Sequence, residues 1–527
     1  MRKLPIGIQS FEDLRENDYL YIDKSAYIWE LVQNGKTYFL SRPRRFGKSL
    51  LISTMEAYFR GKHTLFQGLA MEKLEADKPE SEQWVEYPVL TFSLSGGTYQ
   101  SEDGLAQRLS FALERFEHQF GIERAPGRDL PTEFQHAIEG AYAVTGRQVV
   151  VLVDEYDKPL LEDVPEHTEQ GERNRALFKG FFSILKDEDR YLRFVFITGV
   201  TKFNKVSIFS DLNQLKDISL LPKYAAICGI TEDELQEKLD DRVLQLAGTQ
   251  KMKKSDAYLK LMRMYDGYHF SKKGDGVYNP YSLFNALSDG EFGRYWFETG
   301  TPQFLYKALK QSGRPVSDFS DGIRATEMRI SDYRADNQDL VPLYYQAGYL
   351  TIKGYDESFG TYTLAFPNEE VKYGFLESLI PMASPRYKVE NARFDAGSMI
   401  SYLRDKRLDA FMCMLQALLA SIPYHEGRAP QDEQQWRNII YAVFTVLGQY
   451  VHAEVHSAEG RADCVLENKQ YVYIFEFKED KSAEDALKQI DDMGYARPYR
   501  DGSRQVVKVG VNFSSGMKTL DAWKVEE

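Results

Sequence analysis

The stretch YFLSRPRRFGKSLL runs from Tyr38 to Leu51 and points to the fold of the N-terminal half of the chain. Its apolar start predicts a β-strand, and Gly-Lys-Ser predicts a turn into the first residues of a helix. Backbone N–H groups in such a turn bind phosphate, the lysine reaches the β- and γ-phosphates, and the serine hydroxyl binds Mg²⁺. Arg42 stands where this motif usually has its first glycine, and Pro43 removes a backbone donor. The stretch by itself therefore matches the phosphate-binding motif only in part.

A second stretch supplies the acidic partner that such a loop needs. Five apolar residues, 149–153, are followed by Asp154 and Glu155. In this arrangement the aspartate holds Mg²⁺ through water, and the glutamate polarises the attacking water. A third apolar strand, 194–200, ends in Thr201 and Lys202, which are candidate γ-phosphate sensors. The alternative for this third segment is a buried parallel strand that stops at a glycine-containing turn.

These strand ends predict one nucleotide site with bound Mg²⁺. The predicted nucleotide-binding residues are Arg45, Phe46, Gly47, Lys48, Ser49, Leu50, Asp154, Thr201 and Lys202. Ser49 and Asp154 are the predicted Mg²⁺ ligands, and Glu155 is the predicted catalytic residue. No arginine finger is obvious, and Arg193, just ahead of the third strand, is a candidate.

Near the C-terminus, Asp463 is followed about a dozen residues later by Glu476 and Lys478 inside the apolar run 472–477. Both carboxylates can share one Mg²⁺, with the backbone carbonyl of Phe477 as a third ligand. Alternation along the strand places Lys478 on the same face as Glu476. A cation there polarises a phosphoryl oxygen, and the lysine orients water or stabilises developing charge. The pattern predicts a metal-dependent phosphodiesterase centre.

The alternative interpretation of this run is an edge strand whose Glu476 and Lys478 face solvent. The apolar neighbours argue against it, because a buried Glu and Lys are costly unless they are paired or ligated. Gln489 projects from the following helix, with Ser482 as its N-cap, toward the phosphate or the water. Glu433 or Glu454 could add a further carboxylate.

Composition fits folded domains of an intracellular enzyme. The 527 residues are too many for one core, so we expect two or three domains. Three cysteines without pairing or metal-type spacing argue against a disulfide framework and a zinc site. No apolar run approaches a membrane span, and the first residues lack the apolar core of a signal peptide, so the expected location is the cytoplasm.

A net charge of −13 argues against nucleic-acid binding by bulk electrostatics. Binding would need a local basic patch on an acidic body. The C-terminal segment offers candidate cations, which could equally be solvated surface residues: Arg461, Lys478, Lys488, Arg497, Arg500 and Arg504.

Nearly the whole chain resembles the bacterial AAA-ATPase-like family. The resemblance rests on 4–11, 21–25, 42–51, 87–89, 154–157 and 198–202, and further along on 265–270, 277–280, 295–302 and 345–350. Members of this family commonly end in a PD-(D/E)XK nuclease-like domain, which 460–463, 475–478 and 486–490 match. Arg-Pro-Arg-Arg-Phe-Gly-Lys-Ser is the family's usual loop, so Arg42 is a family feature.

The resemblance and the element pattern together predict an α/β architecture. We expect an AAA-like P-loop NTPase domain with a parallel sheet over residues 1–240 and a helical lid with a small mixed, winged-helix-like region over 241–390. A small PD-(D/E)XK nuclease-like α/β domain is expected over 391–527. Thr231 to Glu234 predicts a capping box, and His269 is expected to be a packed histidine rather than a catalytic one.

Two functional hypotheses from different classes follow. In the first, ATP binding or hydrolysis controls a Mg²⁺-dependent nuclease that acts on DNA, with Mn²⁺ as a possible metal and RNA not excluded, in defence or mobile-element biology. In the second, the chain is a nucleotide-controlled switch or scaffold whose nuclease-like domain binds nucleic acid or a partner protein without cleavage. The lack of an obvious arginine finger favours the second hypothesis, while the intact Asp463, Glu476 and Lys478 argue against it. Turnover is then expected to be slow or to need a second subunit that supplies the arginine in trans.

Overall fold

The computed structural model describes residues 1–97, 99, 101, 103–124, 127–161, 169–202, 209, 212–298, 305, 309, 314–331, 339–383, 389–420, 430–448, 452–455, 463–499, 502 and 504–527. The chain divides into two compact units. The first contains residues 1–298 and 324–368, and the second contains residues 299–323 and 369–527. The domain boundaries predicted at residues 240 and 390 are based on motifs, whereas the two units are defined by their compactness. The predicted boundaries stay predictions.

The first unit is built on a parallel sheet. Its described strands are β1 (Thr37–Ser41), β2 (Val89–Ser93), β3 (Val149–Asp154), β4 (Leu192–Gly199) and β5 (Lys216–Asp217). Their order is β2-β3-β4-β1-β5, and each neighbouring pair is parallel. Every residue of β3 is buried, which explains its continuous apolar sequence. Because parallel strands end at the same edge of a sheet, the residues after β1, β3 and β4 lie together.

Helices fill the connections between these strands. The described α-helices are Phe11–Glu16, Ser25–Asn34, Lys48–Phe59, Ala70–Ala76, Gly104–Phe120, Leu130–Thr145, Lys158–Leu161 and Glu169–Asp187. Short 3₁₀ turns span His63–Phe66, Glu80–Glu82, Asp189–Tyr191 and Pro222–Tyr224. The alternation of strand and helix confirms the α/β architecture expected for this half of the chain.

A helical region follows the sheet. The helices Glu232–Thr249, Lys254–Tyr265 and Pro280–Asp289 share an apolar core that includes Leu239, Leu261 and Leu283. The predicted capping box is confirmed, because Thr231 and Glu234 each accept a backbone N–H hydrogen bond from the other. This region is the predicted helical lid.

A small antiparallel sheet completes the first unit. Its described strands are β6 (Ile323–Thr326), β7 (Thr351–Asp356) and β8 (Thr361–Ala365), in the order β6-β8-β7. β7 and β8 pair antiparallel, with Thr351 opposite Ala365. Short helices accompany it at Tyr295–Glu298, Glu327–Ser331 and Val341–Gln346. The likeness to a winged helix stays a prediction.

The second unit contains a mixed sheet. Its described strands are β9 (His452–Val455), β10 (Cys464–Glu467), β11 (Tyr471–Glu479), β12 (Gln505–Ser514) and β13 (Thr519–Glu526). The order is β13-β12-β11-β10-β9, and only the pair of β11 and β12 is parallel among these strands. The accompanying helices are Asp318–Asp321, Glu369–Ala383, Val389–Arg404, Leu408–Ala420, Pro430–Leu447 and Ala483–Asp492, with a 3₁₀ turn at Arg497–Tyr499.

Two features of this unit have weak signals in the sequence. β12 is not the edge of the sheet, because β13 pairs with it antiparallel on its outer side. Apart from Leu520, the side chains of β13 are mostly exposed, so the apolar signal of this edge strand is weak. The helices Val389–Arg404 and Leu408–Ala420 are separate, since Lys406 has a left-handed backbone (φ 57°) that interrupts the helical conformation between them.

No described helix combines the length and the apolar character needed to span a bilayer.

Candidate functional sites

The predicted phosphate loop joins β1 to the helix Lys48–Phe59. Gly47 caps this helix with a left-handed backbone (φ 90°), a conformation that glycine adopts without strain. The Lys48 Nζ donates to the carbonyl oxygens of Arg42 at 2.8 Å and Pro43 at 2.9 Å, so the ammonium lies inside the loop. Burial lowers the pKa of Lys48, and the nearby Asp154 charge opposes that shift. The geometry is that of a loop closed around its own lysine.

Arg42, at the position of the missing first glycine, is a fully buried side chain. Its guanidinium donates to the carbonyl oxygens of Ser219 at 2.8 Å and Tyr224 at 2.9 Å, and it stacks over Phe270 at 4.1 Å. Burial lowers its pKa. Arg42 therefore holds the start of the loop against the backbone of Ser219 and Tyr224. Its planar guanidinium suits this role because it has enough N–H donors to bind several carbonyl oxygens at once.

The acidic end of β3 faces the loop. The Asp154 carboxylate lies beside the Ser49 side chain. Its Oδ1 is buried and has no hydrogen-bond partner among the described residues. Burial raises the pKa of Asp154, and the influence of the Ser49 side chain lowers it. A hydroxyl beside an unpartnered carboxylate oxygen is a donor set that fits Mg²⁺.

Glu155 follows with a left-handed backbone (φ 52°), which is uncommon outside glycine and turns its side chain away from the strand direction. The carboxyl is partly buried, and its pKa is raised first by that burial and then by the Asp154 charge. A raised pKa makes a carboxylate a better proton acceptor near neutral pH.

The two predicted sensor residues lie at the end of β4 with protein partners. Asp157 accepts hydrogen bonds from the Thr201 hydroxyl at 2.7 Å and from the Thr201 N–H at 2.5 Å. Lys202 forms an ion pair with Asp217 at 2.5 Å, and its N–H donates to Gln346 at 2.8 Å. Sequence reasoning assigned no role to Asp157, although it follows Glu155 by two residues. The sensor assignments stay predictions.

Arg193 lies at the start of β4, with its guanidinium 5.8 Å from the Tyr87 ring centroid. The predicted nucleotide-binding residues Thr201 and Lys202 follow the other end of this strand, after Gly199. Arg193 is therefore poorly placed to act as an arginine finger on a nucleotide bound in its own chain.

Three motifs downstream of the sheet pack on the phosphate loop. Phe46 makes edge contacts with Tyr268 at 4.8 Å and with Phe270 at 5.5 Å between ring centroids. The indole N–H of Trp296 donates to the Arg44 carbonyl at 3.1 Å. Arg45, whose backbone is also left-handed, stacks over Tyr281 at 4.8 Å.

Gly348 lies directly against Pro43 of the phosphate loop. A Cβ at this position would lie 2.6 Å from the Pro43 Cβ, and its φ is 89°. His269 bonds through its backbone to Thr351, with the N–H donating to Oγ1 at 2.7 Å. His269 thus belongs to the segment whose Tyr268 and Phe270 pack on the loop.

An apolar cavity of about 70 Å³ adjoins the loop. It is lined by residues that include Tyr21, Ile22, Gly47, Leu50 and Phe284. Lys24, also at its wall, is paired with Glu234 at 2.6 Å. The cavity is flanked by the start of the phosphate-loop helix, so a flat apolar group can lie there next to bound phosphates.

In the second unit, Asp463 precedes β10 and is tied to β11. Its Oδ2 accepts a hydrogen bond from the Phe477 N–H at 2.8 Å, so the backbone contact shown for Phe477 is through its amide. The Lys478 Nζ donates to the Glu476 Oε1 at 2.8 Å, which shows that both side chains share one face of β11 as alternation predicts. The three predicted residues meet at one place.

Glu476 is 2% exposed, and its Oε2 has no hydrogen-bond partner among the described residues. Burial raises the pKa of Glu476, and the Asp463 charge raises it further. Burial also raises the pKa of Asp463. The described residues contain no group of three or more His, Cys, Asp and Glu that could hold a metal. Two carboxylates would fill only part of the coordination shell of a Mg²⁺ ion. Water and phosphate oxygens can fill the other positions, as is usual for Mg²⁺.

The helix Ala483–Asp492 packs on the same face of the sheet as Glu476. Leu487 and Ile490 share a core with Ile474, which alternates with Glu476. Gln489 is partly buried on this helix, with its Nε2 3.5 Å from the Tyr495 hydroxyl. The predicted N-cap is confirmed, because Ser482 accepts from the Asp485 N–H. The helix that carries Gln489 thus lies on the Glu476 side of the sheet, and the role of Gln489 stays a prediction.

Arg437 was not singled out from the sequence. It lies on the helix Pro430–Leu447, 3.5 Å from a Glu479 carboxylate oxygen, and its charge lowers the pKa of Asp463. The neighbouring Trp436 stacks on Phe513 at 4.1 Å and fixes this part of the helix. The side chains of Glu433 and Glu454, the candidates for an added carboxylate, lie outside the described residues.

Comparison with known proteins gives two family matches and one full-length relative. Residues 5–209 match the model described as predicted AAA-ATPase, and residues 431–523 match the PD-(D/E)XK nuclease superfamily. An uncharacterized protein in the vnfD 5' region of Azotobacter chroococcum mcd 1 is 35% identical over 537 residues, covering 100% of this chain and 99% of the relative.

Among solved structures, the Aeropyrum pernix Orc1 protein in complex with DNA matches with a TM-score of 0.26 and 11% identity. The match covers 68% of this chain and 93% of the Orc1 chain.

Proposed function

Because the chain belongs to the AAA-ATPase-like family and ends in a domain of the PD-(D/E)XK nuclease superfamily, we propose that ATP in the first unit controls Mg²⁺-dependent cleavage of DNA by the second. The observation that carries the nuclease proposal is Glu476, a buried carboxylate paired with Lys478 that keeps one oxygen unpartnered among the described residues. The unpartnered oxygen is costly to bury, and a metal ion bound to it would offset that cost.

In the first unit, the phosphates of ATP bind the N–H groups at the start of the helix Lys48–Phe59 and the Lys48 ammonium. Ser49 and Asp154 would hold the Mg²⁺, which when bound neutralises phosphate charge. Glu155 accepts a proton from the attacking water, in keeping with its raised pKa.

The remaining predicted residues surround the nucleotide. The apolar cavity beside Leu50 receives the base, while Arg45 and Phe46 hold the loop against its aromatic cover. Thr201 and Lys202 report on the γ-phosphate by exchanging their contacts with Asp157 and Asp217.

In the second unit, Asp463, Glu476 and the carbonyl of Phe477 would hold a Mg²⁺ or Mn²⁺ ion, which when bound polarises the scissile phosphate and its own water. Lys478 orients the attacking water and stabilises the charge that develops on the phosphate. Gln489 positions that water from the helix Ala483–Asp492. The product is a hydrolysed phosphodiester.

Control by nucleotide is supported by the packing on the loop. The motifs at residues 265–270, 296 and 348 all contact residues 43–46, so a movement of the loop on binding or hydrolysis changes their support. The last of these motifs leads into β7 and β8, after which the chain continues into the helix Glu369–Ala383 of the second unit. We therefore propose that the segment that follows β8 transmits the movement of the loop to the second unit.

The test of the nuclease is cleavage of labelled linear and circular DNA with Mg²⁺ or Mn²⁺, in the presence of ATP. Wild-type protein is expected to cut and Lys478→Ala is expected not to cut. Lys524→Ala, which removes an exposed lysine of β13, is the matched control and should cut normally. No cutting by the wild-type protein under any condition, or cutting by Lys478→Ala at the wild-type rate, contradicts the proposal.

The placement of Arg193 favours a second candidate function. An NTPase without an arginine finger in its own chain turns over slowly, so the protein can act as a nucleotide-controlled switch that binds nucleic acid or a partner without cleavage. A second copy that supplies the arginine in trans would restore rapid hydrolysis. ATP turnover that rises with protein concentration distinguishes the oligomer from the slow switch.

A further inference from the structure

The outer edge of β2 is an unpaired strand edge among the described residues, since β2 stands at the end of the sheet order. Toward β3, the Pro88 carbonyl accepts from Val150 N–H at 2.8 Å and the Leu94 N–H donates to the Asp154 carbonyl at 3.1 Å. Backbone groups of alternate residues point to opposite sides of a strand. The N–H and C=O groups of Val89, Thr91 and Ser93 therefore point outward.

A groove of about 310 Å³ runs along this edge. Glu56 and Arg60 line one side, at the end of the helix Lys48–Phe59. Arg108, Phe111 and Arg115 line the other side, on the helix Gly104–Phe120. The two helices leave a slot with a strand edge as its floor, and such a slot fits one extended chain.

One of the outward-pointing backbone groups of β2 already has a hydrogen-bond partner. The Ser93 carbonyl, one of the outward-pointing groups, accepts from the Arg108 Nε at 3.0 Å. The Thr91 Oγ1 is buried and has no hydrogen-bond partner among the described residues. Phe111 is 53% exposed, with the Arg115 guanidinium 6.0 Å from its ring centroid. The Thr91 hydroxyl and the exposed part of Phe111 are thus available to a ligand.

The charges of the groove select an acidic ligand. Arg60 is paired with Glu56 at 2.9 Å. Arg108 and Arg115 are exposed and have no carboxylate partner within the part of the chain that the structure describes. This basic surface belongs to a chain with a net charge of −13, so its sign is opposite to that of the molecule as a whole.

We propose that this groove binds an extended acidic peptide of a partner protein, which pairs with the outer edge of β2 as an added strand. The backbone groups of Val89 and Thr91 bond the peptide main chain, as in strand addition to an exposed sheet edge. Acidic side chains of the peptide meet Arg108 and Arg115, and an apolar side chain covers Phe111. The site is distinct from the nucleotide and nuclease residues and does not depend on the proposed function.

Two other occupants fit less well. A second copy that pairs through the same edge would bring its own arginines against these ones, which is unfavourable. A single nucleic-acid strand could stack on Phe111 and bind the arginines, but it leaves the outward N–H and C=O groups of β2 without main-chain partners.

The test uses full-length protein and fluorescence anisotropy. The probe is a labelled peptide of about eight residues that alternates Glu and Val, long enough to pair with all of β2. The comparison probes are the matching Lys and Val peptide and an oligothymidine of about twelve nucleotides. The acidic peptide is expected to bind at least about tenfold more tightly than the basic one.

Two variants separate the backbone contribution from the charge contribution. Thr91→Pro removes an outward N–H without removing a bond to β3, and proline is tolerated in edge strands. Arg115→Glu reverses one charge of the groove. Each substitution should weaken binding of the acidic peptide at least about tenfold. The control is Arg147→Glu, since Arg147 is exposed but does not line the groove, and this substitution should leave the affinity unchanged. Unchanged circular dichroism and ATP binding establish that the variants fold.

Equal binding of the two peptides, or wild-type affinity in either Thr91→Pro or Arg115→Glu, overturns the proposal. Oligothymidine binding that is lost in Arg115→Glu but kept in Thr91→Pro assigns the groove to nucleic acid instead. A dimer in sedimentation that Thr91→Pro dissociates assigns it to a second copy.

Discussion

Asp154 and Glu476 are buried carboxylates that each keep one oxygen without a hydrogen-bond partner among the described residues. An unsatisfied buried acceptor costs about 1–3 kcal/mol, and more when it is charged. In both cases a bound cation would offset that cost, and in both cases the sequence pattern named the residue as a metal ligand. Burial and incomplete hydrogen bonding therefore agree with the sequence pattern at these two residues.

Replacing Lys48 removes the ammonium at the centre of the phosphate loop. Lys48→Ala is expected to weaken ATP binding at least about tenfold, because it loses a charged contact to phosphate. Isothermal titration measures the affinity, and Lys62→Ala, which removes an exposed lysine paired with Glu12, serves as control. Wild-type affinity in a folded Lys48→Ala protein would disprove the phosphate-loop assignment.

Glu155 is expected to act in hydrolysis and not in binding. Glu155→Gln should keep the ATP affinity and lower the turnover by about 10²–10⁴-fold, the contribution of a general base. A phosphate-release assay measures the rate, with ATP titration as the binding control. Turnover at the wild-type rate removes Glu155 from the mechanism.

Asp463→Asn keeps an oxygen for the Phe477 N–H while it removes the charge that a metal needs. We expect loss of metal-dependent DNA cleavage with unchanged ATPase activity. Gel analysis of labelled DNA alongside phosphate release separates the two activities. If the variant still cuts, the metal centre lies elsewhere.

At the level of elements, the phosphate loop depends on the segments that pack on it. Gly348→Ala places a Cβ 2.6 Å from Pro43 and forces a left-handed alanine, which should lower both the melting temperature and the ATP affinity. Gly68→Ala is the matched control, because Gly68 is also left-handed (φ 78°) but has no atom within 4 Å of the added Cβ. Strain alone costs about 1–2 kcal/mol, so an equal effect of both substitutions would show that contact with Pro43 is unimportant.

The sequence predicts those parts of the fold that local patterns encode. The loop at residues 42–49, the acidic end of β3 and the alternation in β11 each depend on neighbours in the chain. The role of Gly348 depends on contact with Pro43, some 300 residues earlier, which no local pattern contains. The exposed strand β13 and the break at Lys406 carry no strong apolar signal, so no local pattern predicts them.

At the level of the whole molecule, the two compact units carry separate candidate sites. In the first, segments drawn from residues 265–350, well beyond the parallel sheet, pack on the predicted phosphate loop. The second brings Asp463, Glu476 and Lys478 together within one mixed sheet. The central claim is that the nucleotide state of the first unit sets the nuclease activity of the second.

The most direct measurement of that claim is the rate of DNA cleavage by wild-type protein and by Glu155→Gln with Mg²⁺, in ATP, in ADP and without nucleotide. We expect the wild-type rate to differ between ATP and ADP, and we expect Glu155→Gln to hold the rate of the ATP state for as long as ATP is bound. Cleavage at one rate in all three conditions, with both proteins, would contradict nucleotide control while leaving the nuclease itself established.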